Sequence, residues 1–238
     1  MSKKVILSAP ANLCSNTGIE NISIQAKPEI SGDIVSFKNC DFENIDLPDS
    51  QDDHLASSII GSDIWGDLKL NIEGCYFADN AKAYNAMELN SILSDGTNIS
   101  NNVFSLVCTH NIINIYDVED GATININDNV FAKAANGIRI GIKGDREDVT
   151  INIKRNTYHS TDEGEYAGLV LIQPYGRATT SMGGITINID DTVNNSGEEQ
   201  LWYYYQGAND SQLAIEDRPK VYVNGELQHY KDEGITEE

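Results

Sequence analysis

The sequence predicts an all-β solenoid, a stack of roughly six to eight short coils closed at its C-terminal end by a β-hairpin. Three observations carry the prediction. A motif of the form Asn-Ile-x-x-Asn-x-Phe recurs at 36–42, 71–77, 98–104, 125–131, 152–158 and, more weakly, 188–194, at intervals of 35, 27, 27, 27 and 36 residues. Within a copy, apolar and polar residues alternate, as Ile124 and Ile126 do with Thr123, Asn125 and Asn127, which is the period-2 signature of a strand with one buried face. Equivalent slots of successive copies also hold the same kinds of side chain, so stacking the copies builds the apolar columns that no coil could bury alone.

Taken in chain order, residues 1–30 read as an N-terminal arm or cap, with apolar triplets at 5–7 and 22–24. Residues 31–200 read as the coiled body. Two columns run down its interior: Phe37, Ile72, Ile99, Ile126, Ile153 and Ile189, then Phe42, Phe77, Phe104, Phe131 and Tyr158. The first Asn of the motif points outward, beside the Thr of Thr123/Asn125, Thr150/Asn152 and Thr186/Asn188. The fifth slot reads Cys40, Cys75, Asn102, Asn129, Asn156 and Thr192. Asn tolerates the left-handed conformation and bonds locally, so this slot is expected to turn the corner. Stacked Asn side chains there would also bond to the next coil. A second apolar strand follows at 86–92, 111–118, 137–142 and 167–173, and Ile113/Ile115 and Ile140/Ile142 fall 15 and 17 residues after the first Asn of their copies.

The two longer intervals mark insertions, expected within 48–67 and 173–184. Long loops on a regular scaffold are where recognition concentrates, which makes Trp65, Tyr175 and Arg177 candidate binding residues. Beyond 194 the repeat is lost. The run from Leu201 through Tyr205 is the densest in aromatics, and Trp202 and Tyr203 join the candidates, although a terminal core is the simpler use of such rings. Residues 201–231 read as a cap whose hairpin turns at Asn224-Gly225, covering an open coil end. Residues 232–238 form an acidic tail.

A formal charge of −21 argues against a nucleic-acid surface, because neutralising phosphates requires clustered Lys and Arg. No apolar run has the length of a membrane span, and the basic, briefly apolar start becomes polar too early for a signal segment. Folding in a reducing cytoplasm is expected. The four cysteines, Cys14, Cys40, Cys75 and Cys108, have no zinc spacing. Cys40 and Cys75 share one slot of consecutive copies and read as small buried hydrophobes, with a disulfide sterically conceivable.

Catalytic signals are sparse. Along the outward column Glu73, Ser100, Asn127, Lys154 and Asp190, the two acids stand four coils apart, roughly 19 Å, too far for a glycosidase pair. Asp117, Glu119, Asp145 and Asp148 fall at nearby offsets of successive coils and offer either an acidic corner for Ca²⁺ or solvated turns. His54, His110, His159 and His229 are scattered. No catalytic residue is assigned.

Corner asparagines stacked beside aliphatic and aromatic columns are what parallel β-helices show. Over about residues 20–200 the chain resembles the right-handed parallel β-helix proteins of the pectin-lyase-like kind. That family includes polysaccharide lyases and hydrolases, but coil-and-cap proteins of this build also recur among bacteriophage virion proteins. The resemblance therefore implies a non-enzymatic virion structural protein, a head decoration or auxiliary module assembled in the host cytoplasm. Its implied partners are capsid or tail proteins, surface glycans and further copies of itself. The alternative is a carbohydrate-active or carbohydrate-binding β-helix protein.

Overall fold

The computed structural model describes residues 4–48, 50, 52–64, 66–132, 136–159, 168–175, 179–195, 201–205 and 212–230. Among these residues there is no α-helix, and a single 3-10 turn covers Ile215–Asp217. Nearly every strand pairing is parallel. The chain visits three large sheets in constant rotation, a first of eight mostly two-residue strands, a second of eight strands and a third of ten, while Lys82–Ala83 and Val107–Cys108 form a separate two-stranded pair. The result is a solenoid-like stack in which each rung gives one strand to each sheet.

Register follows the repeat. In the third sheet Phe37 pairs with Ile72, Ile72 with Ile99, Ile99 with Ile126, Ile126 with Ile153, and Ile153 with Ile189. All six side chains are buried. A one-residue slip would turn the whole aliphatic column to solvent, at about 1.5–3 kcal/mol for each side chain exposed, so the pattern specifies the register. The first sheet stacks its rings: Phe42 on Phe77 at 4.4 Å, Phe77 on Phe104 at 4.6 Å and Phe104 on Phe131 at 5.3 Å, all near-parallel. Tyr158 continues the buried column.

The asparagine ladder is built, and its role differs from the expectation. Asn102, Asn129 and Asn156 are fully buried or nearly so. The Oδ1 of each accepts the backbone N–H of the fifth slot one rung earlier: Cys75 at 2.8 Å, Asn102 at 3.0 Å and Asn129 at 2.9 Å. Each Nδ2 donates to the carbonyl of Ile72, Ile99 or Ile126, respectively. The left-handed residue, however, is the fourth slot: Asn39, Gly74, Asn101, Asp128, Arg155 and Asp191 have φ between 50° and 65°. The chain turns at the fourth position, and the fifth satisfies the backbone groups that the turn buries.

The second sheet corrects one alignment. Ile113 pairs with Ile138 and Ile115 with Ile140, two residues away from the match by offset. The connection from Phe131 to Asn136 is two residues shorter than that from Phe104 to Asn111, and a two-residue change preserves which face each side chain takes.

Neither end of the stack breaks where the repeat does. Within the segment expected as an arm or cap, Val5–Leu7, Asn12–Leu13, Thr17–Glu20, Ile22–Ile24 and Glu29–Ile30 pair into the three sheets. At the other end, Trp202–Tyr204 and Lys220–Val223 add parallel strands to the second and third sheets. The expected hairpin then appears, with Tyr222 opposite Leu227 around Asn224 and Gly225, both at positive φ. The acidic tail at 232–238 lies outside the described residues.

Candidate functional site

The second sheet differs from the others in that its outer face is covered. In its strands Asn85–Leu89, Asn111–Ile115 and Asn136–Ile140 every residue is buried. The outward column on this face runs Gly61, Glu88, Asn114, Arg139, Leu171 and Tyr203 by register. Over it lie two adjoining hollows of about 530 and 280 Å³ that share His54, Tyr116 and Tyr175.

The floor is a polar network. Glu88 is 1% exposed, and its Oε2 accepts from Asn85 Nδ2 at 2.8 Å and from Asn114 Nδ2 at 2.9 Å. Its Oε1 stands 3.6 Å from His54 Nδ1. Arg139 donates from one terminal nitrogen to Asn114 Oδ1 at 3.1 Å and from Nε to Gln173 Oε1 at 3.0 Å. A buried carboxylate and a buried guanidinium persist only with such compensation. Three buried amide oxygens are left over: Asn90 Oδ1, which lines the smaller hollow, Asn111 Oδ1 and Asn136 Oδ1 have no hydrogen-bond partner among the described residues. Asn136 is 7% exposed and lines the larger hollow.

The walls are aromatic. His54 and His110 each stack on Tyr84, at 4.8 and 4.9 Å, and their own rings stand 6.4 Å apart. Tyr116 meets Tyr175 edge to face at 4.7 Å. Arg139 and Lys143 lie against both of those tyrosines, 4.9–5.6 Å from the ring centres, close enough for cation–π attraction. Burial, helped by the neighbouring Arg139 and His54, pushes His110 down to about 4. Burial raises Tyr116 to about 12. Both rings are therefore neutral near pH 7.

Both insertions build this site. The first presents Asp52, Asp53, His54 and Leu55. Ala56 N–H to Asp53 Oδ1 at 2.9 Å, Ser58 Oγ to the His54 carbonyl at 2.6 Å, and Lys27 to the Leu55 carbonyl hold it. The second presents Gln173 and Tyr175. Thr179 Oγ1 pins it by donating to the Ile142 carbonyl at 3.1 Å and accepting from Gly144 N–H at 3.0 Å.

Of the residues anticipated for binding, Tyr175 stands in the groove. Trp65 and Arg177 lie outside the described residues. Trp202 packs edge-on to Tyr230 at 5.3 Å against the core, and Tyr203 lies against Gly168, where a Cβ would come within 2.7 Å of its ring. The four acids considered for Ca²⁺ are engaged separately. Asp117 takes a two-pronged contact from Arg146, both bonds 2.8 Å. Asp145 accepts from the backbone of Thr180 and Ser181 at 2.7 and 2.8 Å and from the Thr180 hydroxyl. Glu119 Oε2 accepts from Asp95 N–H at 3.4 Å, and Asp148 sits at φ 55° in a turn. Among the described residues no three His, Cys, Asp or Glu side chains converge as a metal site requires.

Glu88, Asn114, Arg139, Tyr84 and Tyr116 went unread in the sequence, and His54 and His110, expected to be scattered, are brought together on Tyr84. The signal for the first three was present: each is a polar residue interrupting an aliphatic strand. Unequal connections hid their shared column. Compared with family models, curated proteins and solved structures, the chain shows no significant match.

Proposed function

We propose that the chain is a right-handed parallel β-helix of the pectin-lyase-like kind that binds a saccharide in the groove over its second sheet. The observation that carries this reading is the composition of the groove. Flat aromatic rings, His54–Tyr84–His110 and Tyr116–Tyr175, stand over a floor of amides and two opposed charges. Aromatic faces suit the C–H faces of sugar rings, and planar amide, carboxylate and guanidinium groups suit hydroxyls. The unpaired Asn136 oxygen supplies an acceptor that a ligand hydroxyl would fill.

The reading is recognition, not turnover. Glu88 and Arg139 both bond to Asn114, and that engagement orients them as a fixed floor. The virion role implied by the family resemblance concerns docking on another protein, whereas the chemistry of the groove favours a saccharide.

The test is calorimetry against a panel of neutral and acidic oligosaccharides, with and without calcium. At least one should bind, and Tyr175→Ala should weaken it about tenfold, or about 1.4 kcal/mol. Tyr175 is 38% exposed, so the fold should tolerate this change. A folded protein that binds none of the panel, or a ligand indifferent to Tyr175→Ala, would refute the reading.

A further inference from the structure

The buried fifth-slot column changes character at its N-terminal end. Asparagines occupy three consecutive rungs, and then Cys75 and Cys40 take the next two. Both thiols are free and buried. The register is fixed on either side of them: Lys38 pairs with Glu73, Asp41 with Tyr76, and Tyr76 N–H donates to the Cys40 carbonyl at 2.9 Å. Parallel strands in register place equivalent Cα atoms about 4.8 Å apart, within the range that a disulfide spans. The Cys40 thiol lies against the carbonyls of Lys38 at 3.3 Å and Ile19 at 3.4 Å and the Cys75 thiol against that of Glu73 at 3.5 Å, and the neighbouring Cys75 thiol holds Cys40 below the ordinary thiol value against the opposing effect of burial. The neighbouring Cys40 and, after it, burial raise Cys75. Cys40 is thus the sulfur of the pair that ionises more readily, which makes it the nucleophile.

We infer that Cys40 and Cys75 are a reversible dithiol–disulfide site, oxidised by a hydroperoxide, that cross-links two adjacent rungs. The Cys40 thiolate attacks one peroxide oxygen and breaks the O–O bond, giving a sulfenic acid and hydroxide. The Cys75 sulfur then attacks the Cys40 sulfur, forming the S–S bond. The hydroxyl leaves with the Cys75 proton as water. The two thiols lose two electrons and hydrogen peroxide becomes two waters. The reagent must be small and uncharged, because both sulfurs are buried and local opening sets the rate. The closed loop contains the whole first insertion, so oxidation ties together both ends of the segment that presents His54 to the groove.

The experiment uses the full chain carrying Cys14→Ser, which removes the exposed thiol. The folded protein is treated with hydrogen peroxide, denatured, alkylated and mapped by mass spectrometry. The expected product is a 39–69 peptide linked to 70–82, two hydrogens lighter than the sum, reversed by dithiothreitol. Its formation should raise Tm by about 5 °C through loop closure. With Cys75→Ser added, Cys40 should stop at sulfenic acid, trapped by dimedone. Full alkylation of Cys40 and Cys75 after peroxide, or a sulfinic Cys40 beside a free Cys75 thiol, would overturn the inference. The mapping of the parent protein decides the matter even if the Cys75 variant fails to fold.

Discussion

Glu88 and Arg139 project from one outward column of the second sheet, two rungs apart, and both bond to the same amide: Asn114 gives its nitrogen to Glu88 and its oxygen to Arg139. At strand spacing their backbones are about 10 Å apart, so the charges interact through the amide between them. The amide orientation satisfies both, and reversing it would satisfy neither.

The coupling is measurable. Arg139→Met keeps the aliphatic stem and leaves Asn114 Oδ1 without its donor, while Glu88→Gln removes the charge at nearly constant shape. Each change should destabilise the fold by about 1–3 kcal/mol. In a double-mutant cycle by urea denaturation the two should couple by more than about 0.5 kcal/mol. Simple additivity would show that Asn114 does not join them.

Removing an interior rung of the asparagine ladder should be costly. Asn129→Ala takes away the acceptor of Asn102 N–H and the donor to the Ile99 carbonyl, both buried. A loss of about 2–4 kcal/mol is expected, read as a lower urea midpoint at unchanged m-value.

The fourth slot responds to backbone chemistry instead. Gly74 has φ 65°, and a Cβ there would lie 2.5 Å from Asn39 Oδ1. Gly74→Ala should cost about 1–2 kcal/mol. Asp191→Gly, at φ 50° on the surface, should be neutral or mildly stabilising. Equal effects of the two in thermal melts would contradict the assignment of this slot to the turn.

Acid should destabilise the protein partly through His110. Its folded pKa of about 4 lies below the ordinary value of 6.5, so between those values the unfolded chain binds the extra proton. Its contribution is therefore fully present above about pH 6.5 and is lost as pH falls toward 4, by about 3 kcal/mol in all. His110→Gln should flatten the stability–pH curve in that window. An unchanged slope would mean that the imidazole is not held neutral.

Much of the architecture was legible because it is local and periodic. Ile126 and Ile153 declare their face by alternation, and Phe104 and Phe131 declare their column by a constant 27-residue interval. The turn was misplaced by one residue for an equally local reason. Asn at the fifth slot is chemically capable of the left-handed conformation, and only backbone geometry shows that Asn101, Asp128 and Arg155 adopt it instead.

The groove belongs to a different order of information. Periodic sequence was enough to specify all-β character, the register of the first and third sheets and their buried columns, because each depends on neighbours one repeat away, and the hairpin at Asn224-Gly225 depends on residues nearer still. The meeting of His54 with Tyr84 and His110, and of Tyr175 with Tyr116, depends on how far two irregular insertions travel before rejoining the sheets. The lengths of unequal connections set which polar residues share a column, and only chain closure in three dimensions brings Glu88, Asn114 and Arg139 into line.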